Sequence, residues 1–551
     1  MASLYGTNMT DPTYTPILIV GGGPVGLALA LDLAWRGSSS TLVERDPGTA
    51  TQLLAKANGL DERTLEHLRR WNLVGLVNEV GFPPDHPGDT VYATALNGFY
   101  LGRSILPSVR ARPTPSETPQ KRQRCPQYEF DPLLARSVKE RGMTKFLYGC
   151  EFESLVQDGS GVVATLCKQD TGELFTVCAD YLIACDGAGS KIRQQLGIQF
   201  PGEMLDFSLS AMIRIPRLEF RSPLSGGERY ILIGETGAWA VFTSVDGRQI
   251  WRITIVGSQD RLDVSTYDIT ADIRRALGSD DIPFEVLRLI PWRRSQCNAT
   301  TYRSGRVLLA GDAAHTMSPT GGHGMNTGIG DACDLGWMLD ALVKGWGGEG
   351  LLDAYDKERR PVGLRNAESS TANYKVWVQN GEYRDLFAAG PSGDDCRKRV
   401  GNYFIESLHS EWNSIGIALG YRYEGSPIIV PDGTEPTSDD AANYTPTSRP
   451  GHRAPHAWLS DGRSTLDLFG RAFVLLRFGE RIDTSKFERA ALGLSVPLQV
   501  VHIADPAIAQ LYENALVLVR PDGHVAWRAD QLPMDCVGLL NIVRGATPRS
   551  H

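Results

Sequence analysis

Residues 17–30 read Ile17-Leu-Ile-Val-Gly21-Gly-Gly23-Pro24-Val25-Gly26-Leu-Ala-Leu-Ala30. The apolar run Ile17-Leu-Ile-Val20 has the pattern of a strand buried on both faces of a parallel sheet. Gly26 to Trp35 is rich in Ala and Leu and reads as a helix. Gly37 closes it, and Thr41-Leu-Val-Glu44 is the next strand. Strand, glycine turn, helix and strand make a β-α-β unit. Gly21, Gly23 and Gly26 form a Gly-x-Gly-x-x-Gly motif with an acidic residue, Glu44, 18 positions later. Gly21 permits the tight turn, Gly23 lets backbone approach a pyrophosphate, and Gly26 lets helix and strand pack closely. The helix N-terminus, just after Pro24 and Val25, favours phosphate charge. Glu44 can accept a hydrogen bond from a ribose hydroxyl. The motif implies a dinucleotide, without separating FAD from NAD.

Two more glycine-rich turns follow strand-like runs. Gly305-Arg-Val-Leu-Leu-Ala-Gly311-Asp312 leads through Pro319-Thr-Gly321-Gly322-His-Gly324-Met325-Asn326 into a helix expected over 328–343. Such a loop exposes backbone N–H groups at a helix N-terminus, which suits the anionic edge of a reduced flavin. Asp312 can hold a ribityl hydroxyl. Cys185-Asp186-Gly187 ends the run Asp180-Tyr-Leu-Ile-Ala-Cys-Asp186.

The chain has 551 residues, enough for two to four domains. Hydrophobic residues make up 42% and charged residues 22%, a globular composition without a run long enough to cross a bilayer. The polar start, Met1 to Thr15, lacks signal-peptide character. Lys plus Arg is 56 against 64 Asp plus Glu, a balance of −8 that argues against a nucleic-acid partner. The one basic run, Lys121-Arg122-Gln123-Arg124, reads as a solvated loop. Nine scattered cysteines with no Cys-x-x-Cys imply reduced thiols and a cytoplasmic location. No metal is expected, because Pro455 between His452 and His456 breaks the helical pairing two ligands would need.

Helices are expected over 64–71 and 133–141, and a β-rich region over 207–254. Residues 391–398 and 431–451 read as linkers or surface loops. Beyond them, strands at 472–478, 498–503 and 516–520 mark a separate α/β tail.

The three glycine motifs in this order, together with Tyr355-Asp-Lys-Glu-Arg-Arg360, resemble the FAD-dependent aromatic hydroxylases of the para-hydroxybenzoate hydroxylase fold. The tail, with Arg520-Pro-Asp-Gly-His-Val-Ala-Trp527, is similar to the thioredoxin-like domain of the phenol and polyketide hydroxylase types. The resemblance implies an α/β fold: a Rossmann-like FAD-binding domain (12–86, 113–200, 291–395) interleaved with a β-rich substrate domain (87–112, 201–290), then a thioredoxin-like domain (449–551). It implies FAD, NADPH or NADH, and O₂, with a flavin C4a-hydroperoxide delivering oxygen to a phenol-like small aromatic. A homodimer fits the large tail.

Carried over residue by residue, Glu44 and Arg45 bind the adenosine end, Lys56 lies near the pyrophosphate, and Gln127 contacts the cofactor. Asp186 serves FAD and NAD(P)H, and Pro319 borders the reactive flavin edge. Asn58 stands where phenol-hydroxylase relatives carry a carboxylate that assists substrate deprotonation. Asp61 either substitutes for it or caps a helix. The expected substrate lining is Tyr230, Trp239, Phe242 and Arg252. Arg252 reads equally as a bidentate partner for phenolate or carboxylate and as a surface charge. Rival readings are a flavin epoxidase or oxidase of a non-aromatic metabolite, an uncoupled NAD(P)H oxidase, and a non-catalytic flavin sensor.

Overall fold

The computed structural model describes residues 13–546 apart from 50–55, 219, 221, 259, 261, 262, 265, 380, 480 and 481. The chain start up to Pro12 therefore lies outside the described residues.

The strand Thr13–Val20 sits inside an eight-stranded sheet, between Leu174–Ala184 and Ser40–Glu44, parallel to both. Thr144–Tyr148 and Val307–Leu309 extend it in parallel on either side. Ile17, Leu18 and Ile19 have no exposed surface, as a strand covered on both faces requires. The helix Pro24–Arg36 ends at Gly37, whose left-handed φ of 89° lets its N–H bond back to Ala34 O. It packs against the long helix His323–Val343, placing two helix N-termini side by side at one edge of this sheet.

A second eight-stranded sheet contains the expected β-rich region, with Gly202–Arg214, Ile250–Ser258, Gly237–Ser244 and Gly227–Gly234 in that spatial order. One face packs on the helix Ile269–Leu277 around Tyr230, Phe242 and Trp251. The other meets the helix Pro391–Ser407 and the main cavity.

Two helix boundaries differ from expectation. Residues 391–398 are not a linker but the start of Pro391–Ser407. Pro391 occupies the first helical position, where its missing N–H costs nothing, and Cys396, Val400 and Phe404 form a buried i,i+4 stripe. The helix expected at 133–141 begins at Gln127 and contains Pro132, which gives up one backbone hydrogen bond near the N-terminal end.

The tail forms a four-stranded sheet in the order Leu498–Ile503, Phe473–Phe478, Leu516–Val519, Val525–Ala529, the first pair parallel and the others antiparallel. This is a thioredoxin-like arrangement without the redox cysteines. Buried ion pairs tie it to the nucleotide-binding body. Arg453 grips Glu66, and Arg520 reaches Glu358 with both terminal nitrogens. Burial disfavours the Glu66 anion, but Arg453 and Arg63 outweigh that and hold its carboxyl at about 2. Among the described residues no helix is long and apolar enough to cross a membrane.

Candidate active site

One cavity of about 1280 Å³ runs from the first glycine motif to the exposed face of the second sheet. A single small-molecule pocket measures roughly 300–1,000 Å³, so this space holds a cofactor and a second molecule.

The glycine turn is shaped by what its missing side chains avoid. Gly21 has φ of +114°, and a Cβ there would lie 2.2 Å from Cys185 O. A Cβ on Gly26 would lie 2.0 Å from Gly21 O. A Cβ on Gly23 would meet nothing within 4 Å. Gly21 and Gly26 are therefore glycines for packing, whereas Gly23 keeps open space in front of the helix. That helix has no side-chain cap, so its first N–H groups face the cavity unbonded by the N-cap residue. Glu44 accepts from Gly22 N–H at 2.6 Å and Asp46 N–H at 2.9 Å, fixing the carboxylate at the cavity wall. The Arg45 side chain is largely exposed at the cavity rim.

The second turn packs directly beside the first, with Gly311 and Gly328 against Val25. Gly311 and Asp312 lie in a short 3₁₀ turn, and Gly311 N–H is anchored on the buried Asp331. The helix His323–Val343 starts at Gly322 with φ of +73° and, like the first, has no side-chain cap. Gly322, Gly324, Met325 and Asn326 all border the cavity. The Asn326 side chain is spent on protein: it donates to Gly59 O and Gly322 O, and accepts from Asp61 N–H and Thr64 hydroxyl. Its contribution to a ligand is limited to backbone and to holding this turn. Asp61 caps its helix by accepting from Thr64 N–H at 2.8 Å.

Polar groups remain unmatched along this channel. Asp186 Oδ1 and Asp131 Oδ1 are buried without a partner. Burial raises the Asp186 and Asp312 carboxyls and pushes Asp131 up to about 7. Gln127 donates to Asp131 Oδ2 at 2.9 Å and also borders the cavity. Lys56, Pro319 and Asn58 line it too. Two uncapped helix ends, an anchored carboxylate and hydroxyl-seeking carboxyls fit FAD.

The substrate side corrects three of the four expected lining residues. Tyr230 and Phe242 point to the opposite face of the sheet, where Tyr230 stacks on Phe220 at 5.0 Å and Phe242 lies 5.2 Å from Trp251. Tyr230 hydroxyl donates to Leu224 O. Trp239 is the extra residue of a β-bulge and lies under the Arg275 guanidinium at 3.9 Å. Side chains alternate along a strand, so the cavity instead receives Arg229, Val241, Thr243, Arg252 and Thr254. Of the four, Arg252 alone faces it.

Arg122 and Arg124, expected in a solvated loop, also line the cavity. Arg124 pairs with buried Glu228 at 2.5 Å and donates to Asn58 Oδ1 at 3.0 Å. Asn58 is thus bound to a cation. A buried carboxyl, Glu411, and the indole of Trp412 close the far end. Sequence gave no sign of either, because they sit on a four-residue helix without a motif.

Residues 14–370 match the FAD binding domain family, and residues 447–544 match the aromatic-ring hydroxylase C-terminal family. Tetracenomycin A2 monooxygenase-dioxygenase of Streptomyces glaucescens is 33% identical over 95% of both chains. Phenol 2-monooxygenase of Pseudomonas sp. (strain EST1001) is 28% identical, covering 96% of this chain and 92% of that one. Among solved structures, the rebeccamycin biosynthetic enzyme RebC with reduced flavin superposes with a TM-score of 0.89 and 40% identity, covering 98% of this chain and all of that one. The flavin-dependent monooxygenase PieE in complex with FAD and substrate gives 0.86 and 30%, over 97% and 99% of the two chains. These matches favour ring hydroxylation over the epoxidase, oxidase and sensor readings. The chain belongs to the FAD-dependent aromatic-ring hydroxylases, flavoprotein monooxygenases that use NAD(P)H and O₂ to hydroxylate aromatic compounds.

Proposed function

We propose that this enzyme hydroxylates a planar aromatic compound whose carboxylate is held by Arg252 and Arg229. The observation that carries this reading is a surplus of half-buried positive charge on the cavity wall. Among the described residues, Arg252 and Arg229 make no ion pair. Arg252 donates only to Lys56 O, and Arg229 lies over the Trp412 ring at 4.7 Å. Burial, reinforced by Arg229, lowers Arg252 to about 10, and burial lowers Arg124 to about 9. An anion between these guanidiniums relieves their desolvation and mutual repulsion, and a flat carboxylate matches the guanidinium fork. RebC, the similar structure, has been determined after soaking with chromopyrrolic acid.

The cofactor roles follow the same cavity. Gly23, Pro24 and Val25 would receive the pyrophosphate at the first helix N-terminus, with Gly21 and Gly26 shaping the turn and Lys56 as counter-charge. Glu44 would take the adenosine ribose and Arg45 would close over that end. Gln127, Asp186 and Asp312 would bond hydroxyls along the chain of the cofactor. Gly324, Met325 and Asn326 would present backbone at the second helix N-terminus toward the flavin ring, with Gly311 and Gly322, whose N–H groups bond Asp331 and Pro319 O, shaping the turns and Pro319 at the ring's edge. The redox chemistry, hydride acceptance from NAD(P)H and delivery of one oxygen atom from O₂, is that of the bound flavin. The protein's share is to orient the ring and exclude water. All nine cysteines are free thiols, which supports a cytoplasmic location.

The test is binding of 6-hydroxy-2-naphthoate and of its neutral amide to the FAD-loaded enzyme, followed by flavin absorbance. The acid is expected to bind at least about tenfold more tightly, since a charge-assisted bond contributes about 1.5–3 kcal/mol. Arg252→Met is expected to remove that preference. Equal affinity for acid and amide in the unaltered enzyme would refute the anionic-substrate reading.

A further inference from the structure

Among the described residues, the cavity contains one carboxyl with no ion pair and no capping role at its substrate end. Glu411 is 1% exposed, yet it borders the cavity. Its Oε2 accepts from Trp377 Nε1 at 2.8 Å and its Oε1 from Gly321 N–H at 3.3 Å. Those two bonds come from two different elements, a long helix and the turn that carries Pro319, and they fix the carboxyl's position. Each oxygen retains a lone pair that these donors do not fill.

The other acidic groups on this wall are committed. Glu228 is paired with Arg124, and Asp61 caps a helix. Asn58, at the position where the phenol-hydroxylase relatives are expected to carry a base, has no basic atom and is held by Arg124. We propose that Glu411 is the proton acceptor for a ring hydroxyl of the substrate. This rests on the aromatic-hydroxylase reading and deepens it. The O–H bond of the substrate breaks, its proton passes to a Glu411 oxygen, and the electron pair left on oxygen enters the ring. Electron density then rises at the carbon that takes the incoming oxygen atom. Glu411 returns the proton to solvent as product leaves.

The charged and titratable groups around it are suited to this cycle. Arg229 approaches from the strand Gly227–Gly234 and Arg294 from the strand Glu285–Asn298. Arg294 is occupied by Asp206 and donates to Ser318 hydroxyl at 2.8 Å. Tyr92, bonded to the indole of Trp412, Arg122, bonded to Trp412 O, and His409 on the same short helix complete the set. His323, beneath the Gly321 turn, is pushed down to about 3 by burial and is neutral. Burial pushes the Glu411 carboxyl up to about 7, against the pull of Arg229. A carboxyl that changes state near neutrality can both take and release a proton in each turnover.

Two measurements on the FAD-loaded enzyme test this. Infrared pH-difference spectra of the resting enzyme are expected to show a protonated-carboxyl band that titrates near neutrality and vanishes in Glu411→Gln. A Glu411 band that stays unchanged across the neutral range, or no band lost in the variant, overturns the proposal without any substrate. With 6-hydroxy-2-naphthoate, Glu411→Gln is expected to lower product formed per NADPH oxidised by at least about tenfold, peroxide replacing product. That fall should exceed any change in the rate of flavin reduction, and Glu411→Asp should restore part of the product yield. A loss of reduction and product in equal proportion would mark Glu411 as merely structural and overturn the proposal. If the unaltered enzyme hydroxylates none of the probe, the substrate reading fails while the infrared titration still decides Glu411.

Discussion

Gly26→Ala is expected to yield a colourless protein. The added Cβ would lie 2.0 Å from Gly21 O and 3.2 Å from Gly21 C, both backbone atoms that cannot rotate away. Relief requires the helix Pro24–Arg36 to move off the strand Thr13–Val20, or the Gly21 turn to open. Either displaces the uncapped N–H groups that face the cavity. Overpacking of this kind costs about 1–3 kcal/mol or more, and all of it falls on the cofactor's anchoring point. FAD affinity should drop by at least about a hundredfold, read as lost flavin absorbance after purification and weak rebinding on titration. Gly75→Ala is the matched control. It sits in the helix Val74–Val80 with nothing within 4 Å of the new methyl, so flavin content should not change.

The second large effect lies far from the chemistry. Arg520 has no exposed surface and pairs with Glu358 and Asp522, which have none either. It also lies 5.2 Å from the Trp337 ring centre, on the helix whose other end opens at the cavity. Arg520→Ala leaves two buried carboxylates without their cation, beside Asp334. Removing one partner of a buried ion pair costs about 3–5 kcal/mol, mostly the desolvation of the charge left behind.

The sign of its pH dependence follows. In the unaltered protein burial disfavours the Asp522 anion, but Arg520 overrides it and holds the carboxyl well below its usual range. Asp522 therefore adds stability above the ordinary carboxylate range and loses it as pH falls toward the depressed value. Without Arg520, burial prevails and both carboxyls titrate above their unfolded values. Their contribution is then fullest in acid and declines as pH rises. Urea unfolding should show the deficit of Arg520→Ala larger at about pH 7.5 than at about pH 5. Equal deficits at both pH values would contradict this account of the junction.

The nucleotide-binding half of the site was legible in sequence because its requirements are local. Gly21, Gly23, Gly26 and Glu44 each answer a steric or hydrogen-bonding demand within one β-α-β unit, and the structure brings Gly21, Gly23 and Glu44 to one cavity with Asp186 and Asp312, while Gly26 packs behind the turn. The substrate half was not legible, for three physical reasons. Tyr230 and Phe242 lie on the expected strands, but sequence alternation does not say which face is the cavity, and the bulge at Trp239 resets the alternation. Arg122 and Arg124 are charged and look solvated, yet the chain folds Arg124 against Glu228 and Asn58 and Arg122 against Trp412 O. Glu411 belongs to a helix of four residues, His409–Trp412, too short to leave a periodic trace. The opposite error occurred at Pro391-Ser-Gly-Asp394, whose loop-like composition is that of a helix start.

The central claim is that the cavity couples flavin chemistry to an aromatic ligand held by its arginine wall. Anaerobic reduction of the bound FAD by NADPH, followed with and without a panel of phenols, aromatic acids and their neutral amides, tests it most directly. Marked acceleration by aromatic acids, and not by the amides, is the expected result. Flavin reduction at one rate with every compound would contradict the account, and a purified protein unable to hold FAD would overturn its foundation.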